Sequence, residues 1–181
     1  MMFTATQLQW RYEGQPELAN RMAYGRYPSL DFVTLRPPEE TWCEKNYLPL
    51  PGGVVYRWHP FEVGAVEGES LVIHTSHSTP GWWRHLRGSA PPFVAGDRTL
   101  ALAHMVTGSS PRHYFSVLVE LDTVAWLPKA ASLPFIFFGE VEYCLSAQCV
   151  AGEVHFFVSH WDRESYVVVV PLDRLPQLFG I

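Results

Sequence analysis

Apolar and polar residues alternate along much of this chain with a period of two, the repeat of a strand with one buried face. Residues 114–121 (Tyr-Phe-Ser-Val-Leu-Val-Glu-Leu) run this way into Asp122. Residues 54–58, 71–75, 90–94, 141–145, 153–159 and 166–170 are further β-rich segments, and 30–35 alternates well enough to join them. Residues 100–106 (Leu-Ala-Leu-Ala-His-Met-Val) are apolar at almost every position, which predicts a strand covered on both faces. Turn signals separate these runs: Pro51-Gly52-Gly53, Gly96-Asp97, the loop 108–111 and Ala151-Gly152.

Other stretches carry weaker patterns. Residues 1–40 are the least regular: 1–10 suggest a strand without a clean period, and 17–24 suggest two turns of helix. Gly25, Pro28 and Pro37-Pro38 stop anything longer. The Gly- and Glu-containing stretch after Val63 predicts a loop, and residues 79–85, Thr-Pro-Gly-Trp-Trp-Arg-His leading the segment, an aromatic loop. Trp126 and residues 133–138 predict a connecting strand, and 160–164 a connection between strands.

A grammar of strand, glycine turn, strand, loop, strand recurs, with second strands beginning near residues 54, 100 and 154. That spacing of roughly 45 to 55 residues is close to the ~40 to 50 of a propeller blade with about four strands. The expected fold is therefore all-β: a partial β-propeller-like stack of antiparallel sheets, about three blades, over residues 41–181. Residues 1–40 form its irregular lead-in or edge cap. An α-helical fold is excluded, because beyond residue 40 Pro, Gly and β-branched clusters interrupt every long window.

Composition narrows the classes of partner. A chain of 181 residues, 48% hydrophobic, suffices for one packed domain. Aromatics at 14%, with 15 Pro and 13 Gly, fit short elements joined by tight turns. A net charge of −5 argues against a nucleic-acid or anionic-membrane surface. The apolar runs fall far short of the ~20 residues of a membrane helix. No signal peptide is visible at Met1, and three Cys (Cys43, Cys144, Cys149) form no disulfide framework. The expected location is cytoplasmic, with reduced thiols and no cofactor.

Several residues could carry chemistry. Arg87, before a glycine at the start of a strand, either clamps a phosphate or a pair of sugar hydroxyls, or holds Asp122 or Glu142 as a structural cation. His104 lies in an apolar strand, as a packed core residue or as a proton-transfer group. Asp162, in Ser159-His-Trp-Asp-Arg, is a candidate general acid or the holder of an Asx-type turn. Lys45 and Asn46 offer a point charge and a two-way hydrogen bonder to a polar ligand, or simply end a solvated strand. Trp82 and Trp83 either stack on sugars or divide between a core plug and an edge cover. Asp122 and Glu142 look like anchors rather than a catalytic carboxylate pair. His74, His77, His155 and His160 lack metal-site spacing, so no metal is expected.

A series of segments resembles a known family. Glu44-Lys-Asn-Tyr-Leu-Pro, Val55-Tyr-Arg-Trp-His-Pro-Phe, Arg87-Gly-Ser, His104, residues 114–122, Ser132-Leu-Pro-Phe-Ile-Phe, Val141-Glu-Tyr-Cys and Ser159-His-Trp-Asp-Arg-Glu occur in that order. Together they are similar to the five-bladed β-propellers related to β-mannoside phosphorylases and β-1,2-mannosyltransferases, over about residues 41 to 173. The resemblance implies a central funnel lined by Arg87 and His104, with Lys45 and Asn46 on the same face. It implies a sugar, sugar phosphate or glycan as ligand and, if active, a glycosyltransferase, glycoside phosphorylase or glycosidase. With material for about three blades, the alternative is a truncated, inactive propeller. Such a module would serve assembly, as a homo-oligomer or with a partner covering its open blade edges.

Overall fold

The computed structural model describes residues 3–11, 18–26, 31–39, 41, 43–108, 112–139 and 141–180. They form an all-β protein of four antiparallel sheets. The chain divides into two compact units, Met1–Arg84 and His85–Ile181.

The first unit contains two sheets. One is built from β1 (Phe3–Arg11), β2 (Leu18–Arg26) and β3 (Asp31–Thr34), in that order. The helix expected at 17–24 is thus a strand over its described part, and the described residues of the lead-in include three paired strands. β2 is the central strand: Tyr24 lies opposite Ala5 on one side and Val33 on the other. An isolated helix of two turns is marginal in water, so pairing on both edges outweighs local propensity.

The second sheet is β4 (Leu48–Leu50), β5 (Gly53–Trp58), β6 (Phe61–Glu67) and β7 (Ser70–His77), again in chain order. The stretch after Val63 was expected as a loop, yet β6 continues through it to Glu67. Its Gly64 marks a register shift against β7, where an added Cβ would lie 2.4 Å from the Val72 carbonyl oxygen. The glycine that suggests a loop is there because the neighbouring backbone comes too close for a side chain. Residues 35–36 stitch the two sheets: Leu35 N–H donates to Met22 O (2.8 Å) and Arg36 N–H to Glu69 O (2.7 Å). Met22, Leu35, Tyr47, Val54 and Leu71 form the buried core of this unit.

After a 3₁₀ turn at Gly81–His85, the second unit begins with β8 (Leu86–Ala95), β9 (Arg98–Thr107), β10 (His113–Leu121) and β11 (Pro128–Ala131). These pair in the order β11-β10-β9-β8, followed by a sheet of β12 (Glu142–Val150), β13 (Glu153–His160) and β14 (Glu164–Pro171). A short helix, α1 (Leu175–Leu178), follows. As the apolar run predicts, β9 is buried on both faces from Thr99 to His104. Ala151 (φ 51) and Gly152 (φ 81) turn β12 into β13, as their sequence suggests.

The connecting strand falls at 128–131 rather than 133–138, where Phe135 makes only an isolated bridge to Ser116. Asp122 explains the shift. Its Oδ1 accepts the N–H groups of Val124 and Ala125, turning the chain back along β10 at once. Phe135 and Phe137 are left to pack against Phe156. Leu100, Leu102 and Leu118 meet Val154, Phe156 and Val158 in a core that includes Leu175. Each fully buried Leu or Phe contributes about 1.5–3 kcal/mol. Every sheet is an open up-and-down meander, and none closes into a barrel.

Candidate functional site

Polar and aromatic side chains of the second unit gather where β8, β10, β12 and β14 begin and β9 and β13 end. Register sets the first group. Arg87 lies opposite His104, which lies opposite Ser116 on the other side. His104 is buried, with Nδ1 2.9 Å from Ser89 Oγ. Its ring stands 4.9 Å from that of Tyr143 and 6.1 Å from that of Tyr114, and the two tyrosines are 5.8 Å apart. Burial pushes the Tyr143 phenol above its usual pKa, an effect opposed by a hydrogen bond from Ser89. Ser89 therefore joins His104 to Tyr143 across the packed sheets. Arg87 is exposed and donates from Nη1 to Leu86 O at 2.7 Å.

The second group sits on the β13–β14 hairpin. Trp161 (φ 54) and Asp162 (φ 52) both adopt left-handed conformations, and Arg163 N–H closes the turn onto His160 O at 3.1 Å. Asp tolerates this region, but a bulky Trp is strained there. Trp161 N–H donates to Val141 O at 2.8 Å, which fixes the turn against β12. His160 packs on Phe138 at 5.4 Å and on Trp161 at 6.2 Å, while Phe138 packs on Tyr166 at 4.7 Å. Phe138, Trp161 and Tyr166 remain 44%, 45% and 40% exposed.

Carboxylates border this aromatic group. Glu164 accepts from the Tyr166 hydroxyl, which raises the Tyr166 pKa, and lies 3.8 Å from His160 Nδ1. Phe138 is placed by Glu142, whose buried carboxylate accepts Phe137 N–H at 2.9 Å and Phe138 N–H at 2.6 Å. Glu142 is thus an anchor of the chain. So is Asp122, held below the usual carboxylate range by the Ala125 and Val124 N–H groups and then by Lys129. The partners of Glu142 are backbone amides, and those of Asp122 are backbone amides and Lys129.

Arg87 and His104 are brought together as a cross-strand pair, and Asp162 lies in the hairpin turn. Lys45 and Asn46 belong to the first unit, ahead of β4. Lys45 is exposed, and Asn46 adopts a left-handed turn (φ 63). Beside them Glu44 is buried and accepts from Thr41, Tyr47 (2.7 Å) and Tyr56 (3.3 Å). Trp82 and Trp83 meet edge-on at 5.9 Å but differ in burial: Trp83 is 4% exposed and meets Trp58 edge-on at 6.2 Å, whereas Trp82 is 40% exposed. Cys144 is buried, and its thiol is pushed up to about 12 by burial and the Glu142 charge. His74 pairs with Glu67 and His155 with Glu153. Among the described residues no group of three or more His, Cys, Asp or Glu is placed to hold a metal ion.

Sequence reasoning passed over Ser89, Phe138, Trp161 and Tyr166 as site residues. For Ser89 a signal existed, since strand alternation puts residues 87 and 89 on one face. For the aromatic trio there was none, because Phe138 reaches the other two through the bonds that the Phe137 and Phe138 amides donate to Glu142.

No protein-family model matches the chain, and none of the curated proteins matches it. Fold and site together define an all-β protein of antiparallel meander sheets with an aromatic and polar cluster at one end of its second unit. Among the described residues, no helix is long and apolar enough to cross a membrane.

Proposed function

We propose that the chain binds a sugar or sugar phosphate at this end of its second unit. The observation that carries the proposal is the exposed group Phe138, Trp161 and Tyr166 around His160, bordered by Glu164. Aromatic faces cover the CH-rich face of a pyranose, while carboxylates and imidazole serve its hydroxyls. Arg87, exposed at the start of β8, suits a phosphate substituent. The proposal is for binding. Glu142 and Asp122 are committed to backbone amides, so no catalytic carboxylate pair is assigned.

The same proposal takes the sheets as blades of the five-bladed propeller type related to mannoside-active enzymes. Supporting it are the chain-ordered meanders and the packing of β12 against β8, the first strands of successive sheets. The free thiols Cys43, Cys144 and Cys149 favour a reducing, cytoplasmic compartment.

Thermal shift with mannose, mannose-1-phosphate, a nucleotide sugar and inorganic phosphate tests the site. A saturable rise in Tm is expected for a sugar-containing ligand, weakened at least tenfold in apparent affinity by Trp161→Ala. Arg87→Ala should weaken only phosphate-bearing ligands. No saturable shift with any of them, or an identical shift in Trp161→Ala, overturns the proposal.

A second reading, assembly through a copy of the same chain, is favoured by a separate observation. The face of the β12–β14 sheet turned away from the core leaves Val150, Val167 and Val169 exposed beside the half-buried Phe157.

A further inference from the structure

The first unit holds a pocket that the sugar proposal does not use. It lies between the two sheets of that unit and measures about 100 Å³. Tyr24 and Leu35 line it from the first sheet and its continuation, and Tyr47, Pro49, Val54 and Ala65 from the second sheet and the residue before it. Gly52 and Gly53 put bare backbone at its rim, and a Cβ on Gly52 would meet nothing within 4 Å. The mouth is open.

We infer that this pocket binds a single uncharged aromatic ring. Size sets the first limit. An apolar cavity of about 150 Å³ holds benzene, so this smaller, partly open pocket admits no more than one ring and leaves substituents outside. Lining sets the second. Among the described residues, the side chains that line the pocket are aliphatic and aromatic, so an ionic group would lose its hydration there. Tyr47 adds no charge, since burial and its bond to Glu44 raise its phenol pKa far above neutrality.

The walls are also held rigid. Tyr47 donates its hydroxyl to Glu44 at 2.7 Å and meets Tyr56 edge-on at 5.2 Å. Glu44 in turn accepts from Thr41 and Tyr56, so the carboxylate fixes one aromatic wall from behind. A ring entering beside Tyr24 and Tyr47 finds edge-to-face partners already in place, at little ordering cost. A branched aliphatic group of equal volume lacks that gain. The ring can come from a free phenol or benzene derivative, or from the side chain of a Phe or Tyr in a peptide.

The test follows the ring resonances of isotope-labelled tyrosines in the full chain during titration. The probes are p-cresol, N-acetyl-phenylalaninamide and isobutanol. Saturable shifts of Tyr24 and Tyr47 with p-cresol are expected. Ala65→Leu, which fills the pocket, should raise the dissociation constant at least tenfold, and Trp161→Ala should leave it unchanged. Where circular dichroism shows Ala65→Leu misfolded, Ala65→Val is used instead. Binding of N-acetyl-phenylalaninamide as tight as that of p-cresol assigns the ring to a peptide; binding of p-cresol alone assigns it to a free small molecule. No saturable shift in the native chain, equal affinity in a folded pocket-filling variant, or isobutanol binding as tightly as p-cresol overturns the inference.

Discussion

Among single residues, Glu142 links stability to the site most directly. Its buried carboxylate accepts the N–H groups of both Phe137 and Phe138, and so holds Phe138 against His160 and Tyr166. Glu142→Ala should cost about 2–4 kcal/mol, because two backbone donors lose their acceptor at a buried position. Glu142→Gln retains one acceptor oxygen and should cost about half as much. Urea midpoints of the three proteins measure this order, and Gln as damaging as Ala would contradict it. The sequence shows Glu142 only as an acidic residue at a strand start beside Tyr143. Its partners lie on a segment whose strand-like composition points elsewhere, so its anchoring role was legible only as a type. The specific bonds were not legible. For His104 the apolar run shows burial, whereas its register opposite Arg87 comes from the pairing of β8 with β9.

The β13–β14 hairpin concentrates a different effect in one element. Two successive non-glycine residues in left-handed backbone cost about 1–2 kcal/mol each, least for Asp162 and most for the bulky Trp161. A turn of that shape favours glycine, as the β12–β13 turn shows with Gly152. Trp161→Gly should therefore be at least as stable as the native chain. The relief of strain exceeds the ~0.4–1 kcal/mol that glycine adds to unfolded-chain entropy. The same variant loses one exposed aromatic and should lose the sugar-dependent thermal shift. Stability kept while binding falls marks a turn retained for function; a large loss of stability would show Trp161 to be a packing residue. Strand positions from β8 to β10 and in β13 and β14 follow from alternation and turn chemistry. β6 reads as a loop because Gly64 is also a loop signal, and β2 as a helix because its stretch has no clean strand period. Pairing with the neighbouring strands on both edges, invisible to local propensity, decides both.

At the scale of the whole molecule, four open sheets present edges and faces that chemistry must satisfy. The core-facing side of the β12–β14 sheet carries Val154, Phe156 and Val158 against Leu100, Leu102 and Leu118. Its other side carries rows Ser146–Phe157–Val167, Gln148–His155–Val169 and Val150–Glu153–Pro171. Val167 is 53% exposed on that side. One valine in each row along a sheet face matches the chemistry by which the inner side already packs. A second copy presenting the same rows is their simplest cover, since a two-fold arrangement sets each row on its own equivalent. The intervening Ser146, Gln148, His155 and Glu153 keep the face compatible with water in the free chain, so the association should depend on concentration. Light scattering over a concentration series should therefore rise from 20.6 kDa toward twice that mass. Val167→Lys with Val169→Lys places like charges across the two-fold and should hold the chain at the monomer mass. Because both positions face away from the core, the variant should unfold at nearly the same urea concentration. A native chain that stays at 20.6 kDa throughout would refute assembly through this face. A dimer untouched by the two lysines would move the contact to another surface and refute this face equally.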